Sequence, residues 1–342
     1  MKRPANMTDV AEALGCHQST VSRALRNDPR ISTKMRDQIL KTCDELSYRP
    51  NPLVSALIAS RRKKSNTHIQ AQLAYVTRNP HPGPIRSGSY MEEIFKACQK
   101  RAEELGYLLH EVPILEKGEN PQRIQRMFKA RGIYGAVLGS MAPGTEPFAF
   151  PWEQYPLVAI GYGLTSPEIY RVATNNYEST YRAMEECSSR DYRRIGFVIS
   201  PYENARSRGL EIGGYMACQM NFPPECRVPL LIAKENETSR IQEWVAQEKP
   251  DAIITSQPIQ MLEVCRALDM SCPVDVGIIA LGNVQDPFFT KMERAFDIIG
   301  RLAAELVIRR VERNEIGIPE HPGQYLISPR WIEGKSIREK GA

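Results

Sequence analysis

Gly15 separates two short stretches whose apolar residues recur at helical spacing, and that break constrains the first part of the chain more than any other feature. Val10, Ala11, Ala13 and Leu14 give the first stretch one apolar face, with Thr8 as its cap and Asp9 in its opening turn. Glycine readily adopts the positive φ that a tight turn between helices demands. A second helix is expected from about Gln18 to Arg26, with Val21, Ala24 and Leu25 turned inward. Ser32 or Thr33 caps a third, along which Met35, Ile39, Leu40, Cys43 and Leu46 share one side. Three short helices joined this way form a helix-turn-helix, a unit that offers the N-terminal end of its second helix to the major groove of DNA.

Charge points the same way. Residues 1–64 hold 13 Lys or Arg against 6 Asp or Glu, whereas the remaining 278 residues hold 32 against 34. A basic head on a near-neutral body marks a separate nucleic-acid-binding domain. At 342 residues the chain exceeds one compact core and implies two or three domains.

The run from Thr8 to Leu25, continued by Arg30-Ile31-Ser32, Thr33 to Arg36 and Leu46-Ser47-Tyr48-Arg49-Pro50-Asn51, resembles the headpiece of the LacI/GalR family of bacterial regulators. The resemblance implies that Gln18, Ser19 and Arg23 read base edges. Arg23 suits a two-hydrogen-bond contact with guanine, and Gln18 and Ser19 suit adenine or several other edges. Thr20, Ser22, Arg26, Asn27 and Thr33 are expected on phosphates. His17 stands where the family usually has a serine, a change expected to weaken the helix cap and to offer a phosphate contact instead.

Residues 51–67 match the family's hinge helix and linker. Leu57 aligns with the leucine that wedges between base pairs in the minor groove, with Ser55 beside it. Pro52 is tolerated at a first helical turn, where its missing N–H has no intrahelical partner. Arg61 and Arg62, continued by Lys63 and Lys64, extend the hinge with phosphate contacts or with solvated charge.

Beyond residue 68, short apolar runs such as Leu73–Val76, Gly135–Leu138, Leu157–Ile160, Arg194–Ile199, Ala252–Ile254 and Val276–Ile279 alternate with helical stretches. Repeated strand–helix units imply parallel sheets with helices on both faces. The expected fold is therefore an all-α headpiece at 1–50 and an α/β core over 68–342. The core resembles the family's periplasmic-binding-protein-like part, two doubly wound lobes around a ligand cleft. That resemblance places the first lobe at about 68–165 and 291–325, and the second at about 166–290 and 326–342.

The cleft positions depart from the family. Glu211 replaces an arginine three residues before Gly214-Tyr215; Gln257-Pro258 replaces Asn-Asp; Gly282-Asn283 replaces Asp-Asp; Asn175-Asn176 replaces Asp-Asn. The fork that binds a carboxylate or a pair of sugar hydroxyls is thereby lost, and so are strong acceptors for sugar O–H groups. Asn79, Tyr90, Asn175, Arg206, Glu211, Gln257 and Asn283 are the candidates for a rebuilt polar pocket. Residues 79–84 would stand at its mouth.

The implied function is a sequence-specific transcriptional regulator, a repressor by expectation, that binds a palindromic operator as a homodimer and responds to a sugar or related metabolite. Two alternatives stay open: a ligand-independent DNA-binding regulator with a degenerate cleft, and a solute-binding protein. No hydrolase elbow, P-loop or zinc-protease motif occurs, so no enzyme activity, cofactor or metal is expected. The charged start leads into no apolar signal segment, and no run approaches the roughly 20 apolar residues of a membrane span, which points to a cytoplasmic, nucleoid-associated protein.

Overall fold

The computed structural model describes residues 7–25, 28, 30–46, 48, 71–78, 85–114, 120–143 and 148–339. The expected hinge and linker, with Ser55, Leu57, Arg61 and Arg62, lie outside the described residues, as do Arg26, Asn27 and Asn79.

The headpiece is α1 (Met7–Ala13), α2 (Gln18–Leu25) and α3 (Thr33–Glu45). Val10, Val21 and Ile39, one from each helix, are completely buried and meet Ala11, Ala24, Cys43 and Tyr48 in a small core. Gly15 has φ +59°, and Cys16 N–H donates to Ala11 O at 2.9 Å, so the turn forms where the glycine predicts it. Because α1 begins at Met7, Thr8 lies within its first turn and is not its cap. Ser32 caps α3, its hydroxyl accepting from Met35 N–H at 3.3 Å, and Thr33 is the first helical residue.

The first lobe opens with β1 (Ala71–Thr77), α4 (Tyr90–Glu104), β2 (Tyr107–Pro113), α5 (Pro121–Arg131), β3 (Ile133–Leu138), β4 (Leu157–Ile160) and β5 (Arg171–Thr174). The chain then builds most of the second lobe: α6 (Asn176–Ser188), β6 (Ile195–Ile199), α7 (Pro201–Arg206), α8 (Leu210–Gln219), β7 (Leu231–Ile232), α9 (Thr238–Glu248), β8 (Ala252–Thr255), α10 (Pro258–Ala267), β9 (Gly277–Leu281) and β10 (Thr290–Glu293). It returns through α11 (Phe296–Glu312) and β11 (Gln324–Ile327) to the first lobe and ends the second with β12 (Arg330–Ile332).

Strand order is β11-β5-β4-β3-β1-β2 in one sheet and β12-β10-β9-β8-β6-β7 in the other. All pairings among the described residues are parallel except β10 with β12, which is antiparallel. Parallel strands need long crossovers, and the helices supply them while covering both sheet faces. This is why the central strands read as unbroken apolar runs: all four residues of β4 and of β8 are buried.

The chain passes between the sheets after Thr174, after Glu293 and after Ile327: the last two lie close to the expected 290 and 325, and the first comes nine residues later than 165. The largest difference has a simple cause. β5 is a four-residue strand with every residue buried, and it hydrogen-bonds between β4 and β11, so it holds the chain in the first lobe past 165. Asn175 N–H donates to Ile327 O at 2.9 Å, which brings two of the three crossings into contact.

Candidate functional site

Two sites emerge, one on the headpiece and one between the lobes. Burial of Val21 and Ala24 fixes the rotation of α2 and leaves Gln18, Ser19 and Arg23 exposed, with Thr20 and Ser22 half-buried beside them. Residues at i and i+4 lie on one helix face, so Ser19 and Arg23 project together. Thr33 is also exposed.

His17 caps α2, contrary to the expectation that it weakens this helix start. Its Nδ1 accepts from Ser19 N–H at 3.2 Å and lies 2.9 Å from Ser19 Oγ. The imidazole nitrogen takes the place of a serine oxygen at the cap. A neutral ring that accepts through Nδ1 carries its proton on Nε2, directed away from the helix. The exit of α2 is also pinned: Arg30 binds Asp28 through Nε at 2.9 Å and Nη2 at 2.6 Å, and Arg36 Nη2 donates to Asp28 O at 3.1 Å. Hydrogen bonding by Arg30 holds the Asp28 carboxyl well below the usual carboxylate range.

Between the lobes lies a cavity of ≈ 1180 Å³, lined by Tyr90 and Phe296 from one side and by residues including Tyr202, Glu203, Lys234, Gln257, Asn283 and Arg294 from the other. Gln257 occupies the position before α10 and lines the cavity, and its side chain makes no cap bond to that helix. Tyr90 stacks at 5.3 Å on Phe296, and its hydroxyl is 3.4 Å from Ser140 Oγ.

Four expected pocket residues, Asn175, Asn283, Glu211 and Arg206, do other work, and of these only Asn283 lines the cavity. Asn175 is absent from the cavity wall: its Oδ1 accepts from Glu178 N–H at 3.2 Å and its Nδ2 donates to Glu178 Oε2 at 2.9 Å, so it caps α6. Asn283 reaches the wall, yet its amide is committed to the backbone of Arg294, donating to its O at 3.1 Å and accepting from its N–H at 2.8 Å. Glu211 is completely buried behind the wall. A charged group there needs a partner, because burial without one is strongly unfavourable.

That partner is Arg294, which sequence reasoning did not single out. Its Nη2 donates to Glu211 Oε1 at 2.8 Å and to Glu203 Oε2 at 3.4 Å, while its side chain is 9% exposed. Arg206 joins the group by binding Glu203 through Nε at 3.1 and 3.0 Å. Burial pushes the Glu211 carboxyl up, against the pull of Arg294 and Arg206. Burial acts upward on Glu203 too, but hydrogen bonding and charge from Arg206 and Arg294 hold it below the usual range. A glutamate placed where an arginine was expected was the signal in the sequence that a basic partner had to come from elsewhere.

Gly282, at the first position of the family's Asp-Asp pair, has φ +116°, and a β-carbon built there would stand 3.5 Å from Arg294 Nη1. Any other L-residue would be strained in that backbone conformation.

The depressed Glu203 carboxyl sets a pH dependence. Its contribution to stability is present above the ordinary glutamate range and is lost as pH falls through the lower, folded-state value. Glu203→Gln is therefore expected to flatten the acid side of a plot of unfolding midpoint against pH, measured by thermal denaturation. An acid limb identical to that of the unaltered protein would contradict this assignment.

A helix-turn-helix reader joined to a two-lobed, doubly wound core with a polar cleft defines a class of protein: a regulator that binds DNA with one part and presents a ligand-sized cavity in the other. Residues 6–51 match the model of "Bacterial regulatory proteins, lacI family", and residues 184–337 match that of "Periplasmic binding protein-like domain". The chain thus carries a lacI-family DNA-binding domain and a periplasmic-binding-protein-like domain, and is a DNA-binding transcriptional regulator. It is 22% identical over 323 residues to the sucrose operon repressor of Pediococcus pentosaceus, covering 90% of this chain and 92% of that protein. It is 35% identical over 198 residues to the transcriptional regulator DegA of Bacillus subtilis, covering 56% of this chain and 54% of that one. A lac repressor dimer bound to operator and the anti-inducer ONPF shares the fold with a TM-score of 0.57, at 15% identity over 98% of this chain and 99% of that one. Among the described residues, no helix is long and apolar enough to cross a membrane.

Proposed function

We propose that the protein is a repressor that binds a palindromic operator as a homodimer in the cytoplasm, at the nucleoid, and is controlled by a small ligand between its lobes. The observation that carries this reading is the exposed Gln18, Ser19 and Arg23 face at the start of a helix whose opposite face is locked into the headpiece core. Such a helix places its first residues against base edges in the major groove, and a dimer places two of them one helical turn apart. Thr20, Ser22, Thr33, Arg26, Asn27 and the Nε2 edge of His17 then hold phosphates. Ser55, Leu57, Arg61 and Arg62 engage the minor groove and its flanks.

The cleft favours ligand control over a degenerate site. It is open and ligand-sized, and its wall carries an ordered network of charges. The basic headpiece sets the protein apart from a solute-binding protein. Two relatives, the sucrose operon repressor and the regulator CelR solved as a complex with cellobiose, are tied to carbohydrates, which supports an effector of related chemistry here.

Arg23→Ala tests the DNA half. Loss of a bidentate guanine contact is expected to weaken discrimination at one base pair of the half-site by about 1–3 kcal/mol. Competition binding against singly substituted operators measures it. A uniform loss over all sequences would move Arg23 to the phosphates.

A further inference from the structure

The polar wall of the cleft has an asymmetry that the loss of the family's arginine at position 211 does not foreshadow. Nη2 of Arg294 is committed to Glu211 and Glu203, whereas Nη1 has no partner among the described residues and lies beside Gly282 on the cavity wall. We infer that the cleft recognises a small anionic metabolite, whose carboxylate or phosphate oxygens dock on the free edge of the Arg294 guanidinium. This deepens the reading of the cleft as the effector site and rests on it.

Four features support the assignment. Arg294 is held before any ligand arrives, because Asn283 clamps its backbone from both sides and Glu211 fixes its Nη2. Preorganised guanidinium donors bind planar or tetrahedral oxyanions with more than one N–H. Glu211 does not itself face the ligand and serves Arg294 as a positioning residue, while the carboxylate that does line the wall, Glu203, is offset by its pairing with Arg206.

The second feature is Lys234, also on the cavity wall, whose ammonium forms no salt bridge with any described residue. A third is the start of α10, whose residues Gln257, Pro258, Ile259 and Gln260 line the same wall and whose first-turn N–H groups have no side-chain cap. The last concerns the rest of the ligand. Tyr90 and Phe296 offer aromatic surface from the other lobe, and Tyr202 adds to it on the donors' own side, which suits a compact body such as a sugar ring or a short carbon chain. The fork that the family draws from α8 is thus supplied here from the end of β10, and it meets the ligand from a different direction.

Calorimetry on the full-length protein tests this with matched probes: glucose, glucuronate and glucose 6-phosphate, ribose and ribose 5-phosphate, and citrate. The expected result is that at least one acid or phosphate binds more tightly than its neutral counterpart by about tenfold or more. That preference should shrink as sodium chloride rises, and Arg294→Gln should abolish it. Because Arg294→Gln strands Glu211, the pair Glu211→Gln with Arg294→Gln is measured alongside and must lose the preference while keeping the circular dichroism of the unaltered protein. Equal or tighter binding of the neutral sugars, or an anion preference that survives in both variants, would overturn the anion assignment and leave the cleft as an effector site. Silence of every probe would overturn the assignment together with the effector-site reading.

Discussion

Gly300→Ala is expected to lower the stability of the first lobe by about 2–3 kcal/mol and to disturb the cleft as well. A β-carbon at Gly300 would lie 2.3 Å from Ile94 O and 2.9 Å from both Ala97 Cβ and Cys98 N. The first and last of these are backbone atoms of α4, which no rotamer change can move. The two helices must separate, and the pair they form is central to the core built from Ile94, Cys98, Ile299, Ala303 and Val307. Helix propensity works in the opposite direction, since alanine gains about 1 kcal/mol over glycine inside a helix. The backbone clash outweighs it. Gly213→Ala provides the matched control: it also lies within a helix, α8, but the nearest atom to its β-carbon is 3.9 Å away, so it should stabilise by about 0.5–1 kcal/mol. Thermal unfolding of the two variants should therefore shift in opposite directions. Tyr90 and Phe296 stand at the cleft ends of the same two helices, so Gly300→Ala should also weaken ligand binding. A Gly300→Ala protein as stable as the unaltered one would show that the helices can part at no cost.

The sequence was informative wherever one physical pattern dominated. The headpiece was legible because its short helices, its glycine turn and the serine cap of α3 all agree. The buried strands β1, β3, β4, β6, β8 and β9 stood out because parallel strands covered on both faces leave apolar runs. β10, β11 and β12 were missed, being three or four residues long with half-exposed or exposed side chains mixed in, such as Lys291, Gln324 and Arg330. α9 was missed as well: in Thr238–Glu248 only Ile241, Trp244 and Val245 are buried, and polar residues surround them. The same limit applied to the cleft. Gln257 and Tyr90 line its wall, each adjoining a helix start that faces the gap between the lobes. Asn175 and Asn283 were assigned to a ligand because residue type alone does not reveal which polar side chains satisfy backbone groups first. Arg294 is 83 positions from Glu211, and only the pairing of β9 with β10 brings its side chain over α8.

Glu211→Ala should have the other large effect, a loss of about 3–5 kcal/mol from the second lobe, because it leaves a buried guanidinium short of its main counterion. Glu203 cannot make up the difference. It lies at 3.4 Å from Arg294 Nη2, against 2.8 Å for Glu211, and it already serves Arg206. The cost arises from an unpaired charge and not from a lost attraction, so removing both charges should be far milder. Replacing a buried pair with apolar side chains of similar volume is often neutral or stabilising. The double variant Glu211→Met with Arg294→Met is therefore expected to unfold close to the unaltered protein, with a coupling between the two sites of about 2 kcal/mol or more in a double-mutant cycle. Urea unfolding followed in the second lobe, by fluorescence of Trp244 and Trp331, measures each corner of the cycle. Strictly additive losses would show that Glu211 and Arg294 act independently. If coupling is found, the pair is retained at no gain in stability, and its use must lie in the guanidinium edge that Glu211 aims at the cleft.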